Sequence, residues 1–367
     1  MRRCYSALKI VAVNVLILLV GLVIVELIFG SWFSNTHALH QFTKPRNVSF
    51  VTRNPVGGEP QSIRYTRDAN GFRGLDAPLD RIDIIAVGGS TTEQRYIDDD
   101  LTFEQELKRR FAADGRKIVV VNAGIDGQST IGHIQNFGSW FEVLPGLKTR
   151  YILFYIGIND LMKIAPNAIY DKVEADTKRL RVQLYIREKS VFYQLYLIAK
   201  YHFEPAPYFH GEGRQFIATG GALVTEPSVA QFQTPELTMS LKGMQQRVRE
   251  LDALTRKIGA QSIFVTQRSA RWDRQGGKLV GIPRYDPRGG SEFAAFGPVN
   301  GIDVFHIEKI FADATMATCK SLQAICINLM DEITFDLARD FYDPVHTTAS
   351  GSKAIGAYLY NQLRGRI

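Results

Sequence analysis

The chain has 367 residues, 45% hydrophobic and 22% charged, with a formal net charge of +7. That length and composition suit a globular protein with one large core or two modest ones. The positive balance permits attraction to anionic surfaces, but the basic residues are dispersed and form no Lys/Arg-rich stretch beside aromatics, which excludes a nucleic-acid footprint. No Cys-x-x-Cys pair occurs, and His37 and His40 sit in a polar stretch without metal-ligand spacing, so no metal or cofactor is expected.

Ile10 to Phe29 is apolar apart from Asn14 and Glu26. As a helix it is long enough to cross a hydrocarbon core of roughly 30 Å. Arg2, Arg3 and Lys9 precede it, and the next basic residue is Lys44. The positive-inside rule then places the amino terminus in the cytoplasm and everything after about Ser31 outside. Residues 1–33 therefore read as a cytoplasmic tip and a single-pass anchor in the cytoplasmic membrane. The competing reading is a cleaved signal peptide, but the stretch Glu26 to Trp32 lacks a small-x-small cleavage pattern. Trp32 and Phe33 suit the outer interface, and Glu26 near that end is assigned no function. In this orientation Cys4 is on the reducing side, while Cys319 and Cys326 lie where disulfides persist. Those two are seven apart across a predicted helix-to-strand junction, so they read either as a disulfide or as two buried thiols.

Residues 34–80 read as a linker and an extension. Pro45, Pro55, Pro60 and Gly57-Gly58 break any periodicity up to residue 60. In YTRDANGFRG (65–74), a turn signature precedes Arg73. The segment reads as a structural cover; the alternative is that Arg73 binds an anionic part of a substrate.

The domain from 81 to 367 begins with a short β-branched run, Ile82 to Val87, ending in Gly88-Gly89-Ser90-Thr91. Such a run is a fully buried strand. It presents Ser90 at the carboxyl edge of a sheet, where α/β folds bind ligands. A helical face follows from Leu101 to Phe111. A second strand, 117–121, leads into NAGIDGQST (122–130), and a helix is expected over 131–141. A third strand, 151–156, ends in Gly157-Ile158-Asn159-Asp160. Residues 162–235 are irregular and aromatic and read as an insertion with some helix, a candidate lid. A strong helix over 235–259, a strand over 261–266, a long loop over 271–301, a helix over 305–321 and a strand over 324–329 complete the alternation. This βαβ order predicts a parallel sheet covered by helices on both faces. Near the end, Asp343-Pro344-Val345-His346 spaces a carboxylate and an imidazole three apart on one loop. The pair suits a proton relay, or it caps the last helix.

Four stretches in order, Gly88–Thr91, Asn122–Gly127, Gly157–Asp160 and Asp343–His346, together resemble the SGNH (GDSL-type) hydrolases over residues 82–367. The resemblance implies a flavodoxin-like three-layer α/β/α fold with a five-stranded parallel sheet, and ester hydrolysis or acyl transfer. It implies Ser90 as nucleophile, His346 as general base and Asp343 as its orienting acid. The backbone N–H groups of Ser90 and Gly127 and the Asn159 side chain would form an oxyanion hole; Gly127, not Gly124, occupies the family position. Two departures stand out: the family's Gly-Asp-Ser is Gly-Gly-Ser here, and the interval from Asp160 to Asp343 is long. The reading is a serine esterase or deacylase acting outside the cytoplasmic membrane on an acylated glycan or lipid. An O-acyltransferase using the same residues and a catalytically inactive scaffold are the alternatives.

Overall fold

The computed structural model describes residues 2–33, 44–56, 60–74, 77–161, 178–203, 222–283, 293 and 296–367. In chain order it contains helix α1 (Arg2–Phe29), strands β1 (Val48–Arg53), β2 (Ser62–Arg67) and β3 (Ile82–Gly88), and helices α2 (Ser90–Glu93) and α3 (Phe103–Ala113). Next come β4 (Val120–Asn122), α4 (Thr130–Asn136), β5 (Thr149–Ile156), α5 (Ile158–Leu161), α6 (Lys178–Lys189), α7 (Val191–Phe203) and α8 (Pro235–Lys257). The chain ends with β6 (Gln261–Thr266), β7 (Trp272–Gln275), β8 (Lys278–Gly281), α9 (Gly301–Ser321), β9 (Ile325–Ile327), α10 (Leu329–Glu332), α11 (Leu337–Asp340) and α12 (Ala349–Leu363).

Five strands pair in parallel in the spatial order β4-β3-β5-β6-β9. Renumbered within the sheet this is 2-1-3-4-5, the flavodoxin-like order, in which the crevice lies beyond the carboxyl ends of the strands. Side chains alternate across each strand, and both faces are covered. Ile85, Val87, Ile152, Phe154 and Phe264 pack against α8 and α9 through Met244, Val248, Leu251, Ile307 and Phe311. Ile84, Ala86, Leu153, Ile263 and Val265 face α3 and α12 through Phe103, Leu107, Phe111, Ile355 and Leu359. Full burial of each such side chain is worth about 1.5–3 kcal/mol. This double coverage is why the strand sequences are apolar at consecutive positions. The three-layer α/β/α sheet is therefore as expected.

Two hairpins occupy stretches expected to be irregular. Val48–Arg53 pairs antiparallel with Ser62–Arg67, within the segment read as linker and extension. Ile63, Tyr65 and Arg67 point inward, so the inward row of β2 carries a charge. Trp272–Gln275 pairs with Lys278–Gly281 inside the predicted long loop. Its two-residue turn is Gly276-Gly277, both at positive φ (56° and 80°), a backbone that suits a tight hairpin and favours glycine. Of the insertion, residues 162–177 and 204–221 lie outside the described residues, as do 34–43 of the linker and most of 284–295 of the loop.

Cys319, at the end of α9, is bonded to Cys326 in β9, with Cα atoms 5.9 Å apart. Lys9–Phe29 is the only helix among the described residues long and apolar enough to cross a membrane. From Lys9 to Phe29 its side chains are almost all exposed, unlike those of a core helix.

Candidate active site

Ser90 stands one residue beyond Gly89, at the carboxyl end of the interior strand β3. A Cβ on Gly89 would collide with the Asn159 amide and with the Gln128 carbonyl, so only glycine lets these three segments converge. The turn after Ser90 closes at Gln94, a non-glycine residue in the left-handed region (φ 52°). Such a conformation costs about 1–3 kcal/mol and persists where surroundings over-determine it. Here they do. The Gln94 side chain accepts from Phe103 N and donates to Ser352 Oγ, and its carbonyl accepts from Arg73 Nη1.

Across the crevice, Asp343 and His346 lie on the loop before α12. His346 Nε2 is 2.7 Å from Ser90 Oγ, and His346 Nδ1 is 2.6 Å from Asp343 Oδ2. The other carboxylate oxygen, Oδ1, accepts from the backbone N–H of Val345 (2.8 Å) and of His346 (2.7 Å). With Asp343 as acceptor, Nδ1 carries the proton and Nε2 offers its lone pair to the hydroxyl. The loop is held from outside by Ala270 N donating to Pro344 O (2.8 Å). The Tyr342 ring stacks on the imidazole (5.7 Å, 8°).

Both side chains of the pair are about a quarter exposed (His346 25%, Asp343 26%). Burial opposes the imidazolium, but the Asp343 charge and hydrogen bond outweigh it, so the His346 pKa lies above the ordinary imidazole value. Burial likewise opposes the Asp343 carboxylate. The charge of His346 and the N–H groups around the carboxylate win, and its pKa is lowered.

The third part of the crevice is a ring of donors. Asn159 Nδ2 donates one hydrogen to Gln128 O (2.7 Å), and an amide nitrogen carries two. Gly127 occupies a turn at φ 75°, closed by Gln128 N donating to Ile125 O. Among the described residues no protein acceptor takes the N–H of Ser90 or of Gly127, whereas that of Gly124 is committed to Asn122 Oδ1 (2.9 Å). The geometry therefore favours Gly127 over Gly124 as a donor to a ligand. The Asn159 turn is fixed from behind: Asp160 accepts from Thr130 Oγ1 (2.5 Å) and from Arg247 Nη2 (3.3 Å) on α8.

Arg73 is not part of this crevice. It is 4% exposed, and its guanidinium donates to the carbonyls of Glu93, Gln94 and Ile97 and to Asp99 Oδ1 (3.2 Å). The expectation that it binds an anionic part of a substrate is corrected: every contact above goes to the turn beneath Ser90, so Arg73 is a brace.

Several residues of the site were not anticipated. Gln267, one residue beyond β6, donates to Thr91 Oγ1 (2.7 Å) and accepts from Ile158 N (2.8 Å), tying the Ser90 turn to the Asn159 turn. It is a polar residue at a strand end, the same signal that identified Ser90 and Asn159. Glu93 is a buried hub that accepts from Tyr65 Oη (2.7 Å), Arg67 Nη2 (3.1 Å) and Asp126 N (2.8 Å). Burial would raise its pKa, but Arg95, Arg67 and these hydrogen bonds hold it at about 2. No local pattern marks Glu93, because its partners come from β2 and from the loop after β4.

No family model matches the chain, and no curated protein does. Among solved structures it is similar to TesA, at 13% identity over 78% of this chain and 99% of that one, with a TM-score of 0.41. It is also similar to the psychrotrophic esterase EstA from Pseudoalteromonas sp. (13%, 77% and 97%, TM-score 0.39). A GDSL-like lipase from Bacteroides thetaiotaomicron is a third (11%, 80% and 93%, TM-score 0.40). At such identities and TM-scores these likenesses carry no argument for a role of Ser90, His346 or Asp343.

Proposed function

We propose that this protein is a serine esterase or deacylase, tethered by α1 to the cytoplasmic membrane with its site on the extracytoplasmic side, acting on O-acyl groups of an envelope glycan or lipid. One observation carries the chemistry: an unbroken chain from Ser90 Oγ through His346 to Asp343, at 2.7 and 2.6 Å. A hydroxyl is a weak nucleophile until a neighbouring base takes its proton, and the base needs a carboxylate to fix its tautomer.

In the first step Ser90 Oγ forms a bond to the acyl carbon while its proton passes to His346 Nε2. The carbonyl electron pair moves onto oxygen, where the N–H groups of Ser90 and Gly127 and the second Asn159 hydrogen receive it. The imidazolium formed is balanced by Asp343. Collapse breaks the bond to the alcohol, which leaves with the proton from Nε2. Water, deprotonated by the same nitrogen, then attacks the acyl-serine; the acid departs and Ser90 recovers its proton. Preorganised donors of this kind are worth about 10²–10³ each in turnover.

The placement outside rests on the basic residues before α1 and agrees with the Cys319–Cys326 bond, which an oxidising compartment favours. A fluorophosphonate probe should label the full chain and not Ser90→Ala. The unlabelled protein should release acid from acetylated sugars or acyl-chain esters in water alone, and labelling should abolish that release. Labelling that survives in Ser90→Ala would overturn the assignment of the nucleophile. Acyl release only when a sugar hydroxyl is supplied would replace hydrolysis by acyl transfer.

A further inference from the structure

Helices α6 and α7 each carry a stripe of exposed apolar side chains. On α6 they are Val182 (50% exposed), Tyr185 (51%) and Ile186 (47%); on α7 they are Phe192 (40%), Leu195 (46%) and Tyr196 (57%). Both sets have the spacing i, i+3, i+4, so each lies along one face of its helix. Val191 and Gln194, elsewhere on α7, are buried.

The position of these two helices is set by α1. The carboxylate of Glu26 accepts from the first N–H of α7, Val191 N (3.0 Å). Ser31 N donates to Lys189 O (2.9 Å), and the Trp32 and Tyr185 rings meet edge to face at 6.1 Å. Glu26, an acid three residues from the end of an apolar helix, is thus a cap on a second helix, a favourable place for negative charge. Lys9–Phe29 has 21 residues, which matches a hydrocarbon core of about 30 Å. Phe29 then sits at the outer boundary, and the Glu26–Val191 and Ser31–Lys189 contacts fix the α6–α7 corner at the level of the headgroups.

We infer that α6 and α7 form an interfacial helix pair whose exposed stripes rest in the outer leaflet of the bilayer that α1 crosses. The inference rests on the anchor reading above. Composition favours lipid over a second copy of the chain. Residues 178–203 contain six Lys or Arg against one Glu, so two copies face to face would repel, whereas anionic headgroups attract them. Tyrosine suits this depth, since its ring is apolar and its hydroxyl stays wet.

Depth-dependent quenching on the full chain tests this. In a Cys4→Ser background a nitrobenzoxadiazole label is attached at Leu195→Cys, at Ile186→Cys, at Val20→Cys inside α1, or at the exposed control Met239→Cys on α8. The protein is placed in phosphatidylcholine vesicles with one quarter phosphatidylglycerol, with spin-labelled lipids as quenchers. The labels at 195 and 186 should shift to the blue and lose about half or more of their emission to quenchers held about 5–10 Å below the headgroups. The label at 239 should not respond, and that at 20 should respond to deep quenchers. If 20 is quenched while 195 and 186 behave like 239, the interfacial inference fails and the anchor stands. If 20 is not quenched, the anchor reading fails and takes the inference with it. If 195 is shielded from iodide, unreached by lipid quenchers and cross-linked between copies, the face is a self-association surface and the inference is overturned.

Discussion

Asp343 uses its two oxygens for different ends. Oδ1 folds its own loop by taking two backbone N–H groups, and Oδ2 takes the imidazole proton. Asp343→Asn would keep an acceptor for the loop but set an amide against Nδ1, which forces the wrong tautomer. We expect turnover to fall by roughly 10⁴-fold with the fold intact. The pH profile gives a second readout. His346 must be neutral to accept a proton, and its pKa is raised, so kcat/KM should rise with pH through a midpoint above the ordinary imidazole value of 6.5. In Asp343→Asn the residual activity should show that midpoint moved to lower pH. An unmoved midpoint would mean that Asp343 does not set the protonation of His346. For Asn159→Ala we expect kcat to drop by about 10²–10³, or about 2.7–4 kcal/mol in the barrier, with KM little changed. An unchanged kcat would remove Asn159 from the oxyanion site. Ser90, Asn159 and the Asp/His pair were legible because each is a polar residue at the end of an apolar run or on a loop with short spacing. Gln267 obeyed the same rule and was passed over.

The turn formed by α2 shows what an isolated sequence hides. Arg67, Arg73 and Glu93 carry charge, yet all three are buried beside the Ser90 turn. Their partners are distant in sequence: Arg67 Nη2 donates to Gly124 O, 57 residues away. No local pattern encodes such a contact. Arg73→Ala would leave Asp99 and three carbonyls buried without that donor, a loss of about 3–5 kcal/mol. Thermal unfolding should shift down accordingly, with KM for an uncharged ester unchanged below the transition. A raised KM with unaltered melting would restore Arg73 as a substrate contact. The hairpins divide in a similar way. The Gly276-Gly277 pair between short strands is a local hairpin signal and was available. The β1–β2 hairpin was masked by Arg67 on its inward row, which breaks the apolar alternation. Four of the five strands of the parallel sheet were recoverable to within two residues at each end, since burial on both faces leaves only apolar choices; β4 starts at Val120, three residues after the expected 117.

For the whole molecule, one buried group should make a contribution to stability that runs against activity in its pH dependence. Burial pushes Glu104, on the α3 layer, up to about 8 from an ordinary 4.5. The folded state therefore holds a proton that the unfolded chain releases, so the Glu104 contribution is present in full below about pH 4.5 and is lost as the pH rises towards about 8. Glu104→Gln should remove much of that decline, on the order of a few kcal/mol, and should leave melting at low pH unchanged. Identical pH dependence in the two proteins would show that Glu104 is not the group responsible. The order in which the site assembles has its own consequence. Ser90 follows the first strand of the sheet, whereas His346 arrives 256 positions later, after the last one. A newly made chain stays chemically silent until α12 has docked on α3, so ester turnover doubles as a readout that folding has finished.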